Sequence, residues 1–358
     1  VTITAAPAAP LAGTNGPYCV GETASALVAT PASGASLLWY SAATGGVGSA
    51  TAPTPTTTTA GTQNFYVSSL VSGGCESTRT LITVTINALP VVPSVSPTVA
   101  YCVGDAASAL SATPPSGSTL RWYTVATGGT FTTVAPTPST ATATTLTYYV
   151  SSVNASGCES ATRSLITVTI SAKPANPVVT TPVNLCLNET PITLTATPAS
   201  GTSLRWYTVA TGGTASATQP TYTTTSAGTT SFYVTSLNTT TGCESPRVEI
   251  QVIVNPLPSA PTVSPLTLCQ GATASALTAT PASGSTLRWY TVATGGTFTT
   301  TVTPSTATVG VTNYYVSSYN TTTGCESSRT LLAVTITAAP AAPLAGTNGP
   351  YCVGETAS

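Results

Sequence analysis

Cysteine carries the recurrent chemistry of this 358-residue chain, which holds nine of them. All nine fall at two repeating positions, Cys352 standing at the first of them. Cys19, Cys102, Cys186 and Cys269 each follow a turn-forming stretch, and Cys75, Cys158, Cys243 and Cys325 each sit in a GCES motif. A thiol can cross-link, ligate a metal or attack a substrate. There is no CxxC motif and no His in the chain, so a zinc site lacks both its usual spacing and its usual second ligand. Without His, neither a Ser–His nor a Cys–His nucleophile can be assembled. The other recurrent ionisable group is the Glu of GCES: Glu76, Glu159, Glu244 and Glu326. Glycoside hydrolysis needs two acids close together, and each repeat offers one at this position. An Arg follows three or four residues on, at Arg79, Arg163, Arg247 and Arg329, which reads as a surface ion pair of small energetic worth. Asp105 is the only Asp and Lys173 the only Lys, so neither a calcium loop nor a lysine isopeptide can recur. What remains is disulfide chemistry in an oxidising compartment. No catalytic residue, metal or cofactor is expected.

The elements that hold these cysteines repeat as well. The steps from Cys19 to Cys102, Cys186, Cys269 and Cys352 are 83, 84, 83 and 83 residues. On a longer period, Val334–Ser358 repeats Val1–Ser25 without a change, at an offset of 333. The chain therefore reads as a four-domain cassette of a tandem array. The expected division is the end of a preceding repeat at 1–4, repeats at 5–88, 89–172, 173–256 and 257–337, and the start of another at 338–358. Val1 and Ser358 then read as arbitrary cuts, and Cys352 as a thiol whose partner lies beyond Ser358. A repeat of about 83 residues is near the lower end for a self-sufficient core, where a covalent staple helps. Net charge is -1 with 5% charged residues, which gives no electrostatic footprint for nucleic acid or anionic membrane. No run approaches the roughly 18 apolar residues of a membrane span.

Within each repeat the apolar segments are short, rich in Val, Ile, Thr and Tyr, and bounded by Gly, Pro, Ser and Asn. That pattern predicts strands and turns. The last strand alternates: Ile82, Val84 and Ile86 on one face, Thr83 and Thr85 on the other. One buried and one wet face predicts an antiparallel β-sandwich. The Gly45-Gly46, Gly128-Gly129, Gly212-Gly213 and Gly295-Gly296 pairs suit tight turns. Pro-rich joints between repeats predict semi-rigid spacers, so four domains in line would span roughly 120–160 Å.

The combination YCxG, LRWYxxATGG, YYVSS, GCES and ITVTI resembles the Bacteroidota immunoglobulin-like tandem repeats of CHU_C-associated type. Such repeats occur in giant SprB-type gliding-motility adhesins and in spacer regions of secreted enzymes. The resemblance covers all four repeats. It implies an all-β array of four Ig-like sandwiches in an extracellular, cell-surface protein exported by the type IX route.

In that frame Trp39, Trp122, Trp206 and Trp289, each 20 residues after a first cysteine, are core residues of an Ig-type third strand. Adjacent strand residues face opposite ways, so Tyr40, Tyr123, Tyr207 and Tyr290 should point outward as a candidate contact row. The pairs Phe65-Tyr66, Tyr148-Tyr149, Phe232-Tyr233 and Tyr314-Tyr315 should likewise place one ring in the core and one outside. The cysteines leave two pairings open. Within-repeat bonds would join Cys19–Cys75, Cys102–Cys158, Cys186–Cys243 and Cys269–Cys325. Yet the usual inter-sheet cysteine positions fall near Leu110 and Val150, and Cys102 and Cys158 are shifted toward opposite ends. Bridged Cα atoms must lie within about 7 Å, so this pairing requires a different strand register. Bonds between neighbours would instead join Cys19–Cys158, Cys102–Cys243 and Cys186–Cys325. Asn154, Asn188, Asn238 and Asn320 match the N-glycosylation pattern, which a Thr/Asn-rich chain also produces by chance.

The expected function is a structural stalk or filament segment of a large surface adhesin, in gliding motility or surface attachment. The alternatives are an array of polysaccharide-binding modules or the spacer of a secreted hydrolase. The expected partners are neighbouring repeats, with surface polysaccharide as a candidate ligand.

Overall fold

The computed structural model describes residues 3–344 and Val353. Cys352 and most of the expected further repeat lie outside the described residues. Every regular element described is a strand. The described residues form two compact bodies, one of those up to 173 with 240–243 and one of 174–239 with those from 244 onward.

The first body holds the first two domains, and the second domain shows the plan. Its main sheet has four strands in the order Thr119–Tyr123, Thr144–Val153, Ser164–Ser171, Thr98–Cys102. We call these the tryptophan, long, last and leading strands. The first two pairings are antiparallel, and the leading strand pairs parallel to the last, with Cys102 opposite Ser171. Facing this sheet is a two-residue ribbon, Ser94–Val95 with Ala112–Thr113. In the first domain Leu11–Ala12 pairs with Ala29–Thr30 in the same way. Each domain is thus an Ig-like sandwich with one sheet reduced to a short ribbon.

The second body follows the same plan. Its main sheets contain Ser203–Tyr207, Gly228–Leu237, Val248–Asn255 and Val183–Cys186 in one domain, and Ser285–Tyr290, Gly310–Asn320, Thr330–Thr337 and Leu266–Cys269 in the other. The ribbon is Val178–Val179 with Ala196–Thr197 in the third domain and a single bridge, Thr262 to Thr280, in the fourth.

Alternation builds the cores. In Thr80–Asn87, Ile82, Val84 and Ile86 are buried while Thr83 and Thr85 are exposed. In the second domain Trp122 packs with Leu110, Val150, Ile166, Val168 and Ile170. Leu110 and Val150 occupy the places where an antibody domain would put its inter-sheet cysteines, and both are buried. Trp39, Trp206 and Trp289 stand in the corresponding cores. Phe65, Tyr148, Phe232 and Tyr314 join those cores, and their neighbours Tyr66, Tyr149, Tyr233 and Tyr315 are half-buried on the opposite face.

Candidate functional site

Two features recur in every domain and carry its polar chemistry: a Tyr–Glu–Arg cluster and the cysteines.

The cluster lies on the face of the main sheet opposite the core. Tyr123 does point away from Trp122, as alternation requires, but it is only 4% exposed. Tyr40, Tyr207 and Tyr290 are buried too. The outward row is therefore corrected. The GCES hairpin folds back over that face, bridging Glu159 to Val153 at the end of the long strand. Tyr123 Oη donates to Glu159 Oε1 at 2.6 Å, and Ser151 Oγ donates to the same oxygen at 2.6 Å. Arg121 Nη1 reaches Glu159 Oε2 at 3.1 Å. Arg163 stacks over the Tyr123 ring, with its guanidinium carbon 3.2 Å from the centroid. The same guanidinium donates to Val125 O and Gly128 O at 2.8 and 2.9 Å, clasping the ATGG loop. That loop needs its glycines. Gly129 has φ +74, and a Cβ there would meet Val125 Cγ2 at 2.6 Å.

The other domains repeat the arrangement. Tyr40 and Ser68 donate to Glu76, and Arg79 stacks on Tyr40. Tyr207 and Thr235 donate to Glu244, with Arg247 on Tyr207. Tyr290 and Ser317 donate to Glu326, with Arg329 on Tyr290. The Glu–Arg ion pair read from the sequence is present between Arg163 and Glu159 and is secondary to these hydrogen bonds. Between Glu159 and Arg163 the approach is 3.9 Å, and the tyrosine and serine hydroxyls hold the carboxylate more closely. Arg121 and Arg288 lie over the half-exposed rings of Phe131 and Phe298 and reach the same glutamates. The hydroxyl of the YVSS motif was the missed member. Its signal was a Ser or Thr at 68, 151, 235 and 317, always the residue after the buried Val.

The cluster sets a pH window. Burial pushes Glu159 and Glu326 up, but hydrogen bonds from serine, tyrosine and arginine together outweigh it and leave both carboxyls below their ordinary 4.5. In Glu76 the bonds from Ser68 and Tyr40 lead, and it is lowered as well. Burial first, then the bond to glutamate, raises Tyr40, Tyr123, Tyr207 and Tyr290 above 10.0. A lowered carboxyl stabilises the fold above its unfolded pKa, and this is lost as pH falls through the folded value. A raised phenol stabilises below its unfolded pKa, and this is lost as pH rises through the folded value. The thermal midpoint should be flat between about pH 5 and 9.5 and fall on both sides. A midpoint unchanged by calorimetry down to about pH 3 would show that the glutamates contribute nothing.

The cysteines pair between neighbours. Cys19 bonds Cys158, Cys102 bonds Cys243 and Cys186 bonds Cys325, each with Cα atoms 5.6 Å apart. The within-repeat pairing is corrected, and the reason is the last strand. Cys102 stands beside Ser171 at the far end of Ser164–Ser171, whereas Cys158 precedes the near end. Eight strand residues span about 23 Å, far beyond disulfide reach. Each bond joins the leading strand of one domain to the hairpin of the next. Cys158, Cys243 and Cys325 are fully buried. Cys75 and Cys269 are unbonded, which also corrects the expectation that all eight are cross-linked.

Among the sequon asparagines, Asn320 Oδ1 accepts from Thr322 N and Thr323 N at 2.9 and 3.1 Å, and Asn154 is held on both sides of its amide. Its Nδ2 donates to Ala88 O at 2.9 Å, and its Oδ1 accepts from Cys158 N at 3.0 Å. Asn188 has φ 64 at the turn where the other domains place Gly21, Gly104 and Gly271. Among the described residues no group of three or more His, Cys, Asp or Glu could hold a metal ion, and no helix is long and apolar enough to cross a membrane.

No curated protein matches the chain. Among solved structures, the Sidekick-1 fragment of immunoglobulin domains 1–4 is similar over 92% of this chain and 99% of its own, at 14% identity and a TM-score of 0.22. A three-domain titin fragment covers 70% of this chain and 99% of its own, at 13% identity and a TM-score of 0.30. The fibronectin(III)-like modules of Clostridium thermocellum CbhA cover 45% and 94%, at 16% identity and a TM-score of 0.30. The family assignment rests instead on a sequence profile, that of the Ig-like domain described as CHU_C associated. It matches residues 7–87, 90–171, 174–256 and 258–340. With four matches that leave only short joints and ends uncovered, the chain belongs to the CHU_C-associated Ig-like domain family as a tandem array of four domains.

Proposed function

We propose that this chain is an extension-limited tether segment of a secreted or cell-surface adhesin. The observation that carries the reading is the route of covalent bonds. Cys19 and Cys325 are 306 residues apart along the backbone. Crossing Cys19–Cys158 and Cys186–Cys325 leaves only the 28-residue step from Cys158 to Cys186 between them. Force applied along the chain then passes through disulfides, and most of the backbone lies outside the stressed path. Each joint between consecutive domains is crossed twice by covalent bonds, once by the chain and once by a disulfide.

A second feature supports it. Once the disulfides are open, a pull on the two ends of a domain shears the hydrogen bonds of its parallel leading and last strands together. Disulfide-bearing Ig-like arrays are of a kind that is typically non-catalytic and suited to an oxidising, extracellular setting. The finer setting we propose is surface attachment or gliding motility in a Bacteroidota cell, with export by the type IX route and neighbouring domains of the same chain as the main partners. Stretching single molecules with the disulfides closed and then reduced tests the reading. Equal released length in the two states would end it.

A further inference from the structure

The three disulfides follow one rule, and the two unbonded thiols are the two halves of the next case of it. A first-position cysteine sits at the end of the leading strand, in register with the last residue of the last strand: Cys102 with Ser171, Cys186 with Asn255, Cys19 with Asn87. Its partner is the hairpin cysteine of the following domain. That partner is seated over the same register position, with Cys243 Sγ 3.8 Å from Ser171 O.

Cys269 meets the first half of this rule. It is in register with Thr337, and it is exposed and unbonded. Cys75 meets the second half. Its Sγ lies 3.6 Å from Thr4 O. Thr4 ends the sequence VTIT at 1–4, which recurs as Val334–Thr337, so Thr4 is the counterpart of Thr337. The hairpin thiol of the first domain is thus held over the same backbone position that Cys243 holds, and the cysteine missing beside it is one in the place of Cys269.

We infer that Cys269 and Cys75 form a fourth disulfide of the same kind when this stretch is followed by a copy of itself. The partner of each thiol is a second copy of this sequence, joined head to tail in one chain. The oxidant is a small-molecule disulfide such as oxidised glutathione. The Cys269 thiolate attacks it and releases one small thiol. The Cys75 thiolate then attacks Cys269 Sγ and releases the second. Two protein thiols lose two protons and two electrons, and one oxidant disulfide becomes two thiols.

The doubled chain can be made without a seam, because residues 334–358 repeat residues 1–25. Residues 1–333 placed directly before the full 358-residue chain reproduce the natural junction. The doubled and single chains are oxidised in the same glutathione buffer, alkylated, and mapped without reduction. In the single chain Cys75 and Cys269 should both alkylate. In the doubled chain, with the first copy's Cys75→Ser and the second copy's Cys269→Ser so that each remaining thiol has a unique peptide, a peptide linking the first copy's Cys269 to the second copy's Cys75 should appear, and alkylation of both should drop by at least tenfold. Cys269→Ser in the first copy should restore alkylation of the second copy's Cys75. The Cys19–Cys158 peptide serves as the folding control. Full alkylation of both thiols while Cys19–Cys158 is closed would overturn the inference. So would a Cys75–Cys75 or Cys269–Cys269 dimer formed in their place.

Discussion

Stretched from its ends with the disulfides closed, the span from Cys19 to Cys325 will extend to no more than about 100 Å however many domains unfold. At about 3.5 Å per residue this is the length of the 28-residue step from Cys158 to Cys186. After reduction the same span will reach about 1,000 Å, a tenfold change, because all 306 residues then carry the force. The intermediate case is informative. Cys158→Ser opens the shortcut and leaves the route through Cys102–Cys243. That route holds the 83 residues from Cys19 to Cys102 and the 57 from Cys243 back to Cys186, whose bond to Cys325 stays closed, about 490 Å in all. Optical-trap extension of the three forms therefore reads out the pairing directly. An oxidised span that reaches the reduced length would sink both the pairing and the tether.

Trp122→Ala will destabilise the second domain by about 3–5 kcal/mol, the usual cost of removing a buried large aromatic. Trp122 is 2% exposed and packs against Leu110, Val150 and three residues of the last strand, so the void cannot fill from solvent. For a domain of this size the loss lowers its midpoint by roughly 12 °C or more. Tyr123→Phe, one residue on, is the contrast. It keeps the ring under Arg163 and removes one hydroxyl from Glu159, which costs about 0.5–1.5 kcal/mol. Calorimetry of the two variants should separate them clearly. Similar losses would mean that the two faces of the strand are not the apolar core and polar cluster described here.

The repeats, the strands and the tryptophan cores were legible because each rests on local pattern. Ile82, Val84 and Ile86 alternate with threonines, and a period of two fixes their face whatever else the chain does. Tyr123 shows where that logic stops. Its direction followed from its neighbour, but its burial depends on a hairpin more than thirty residues away folding back over the sheet. The cysteines show the same limit at longer range. The sequence was enough to see that Cys102 and Cys158 sit at opposite ends of a domain. It left two pairings open because choosing between them needs the register of Cys102 beside Ser171, which is a tertiary fact. The parallel pairing of the leading and last strands had no local signal either, since strands of both orientations alternate alike.

The separation of the bonded cysteines imposes an order of events on synthesis. Cys102 emerges 56 residues before Cys158 and 141 before Cys243, its true partner. The wrong partner is therefore always available first. A disulfide made on the unfolded chain would join the two cysteines of one domain and leave its last strand unable to pair. The domain must close its sheet first and hold the two thiols apart, and only then wait for its successor. Correct cross-linking thus depends on each domain folding faster than it oxidises, with every finished domain acting as a timer for the bond to the next.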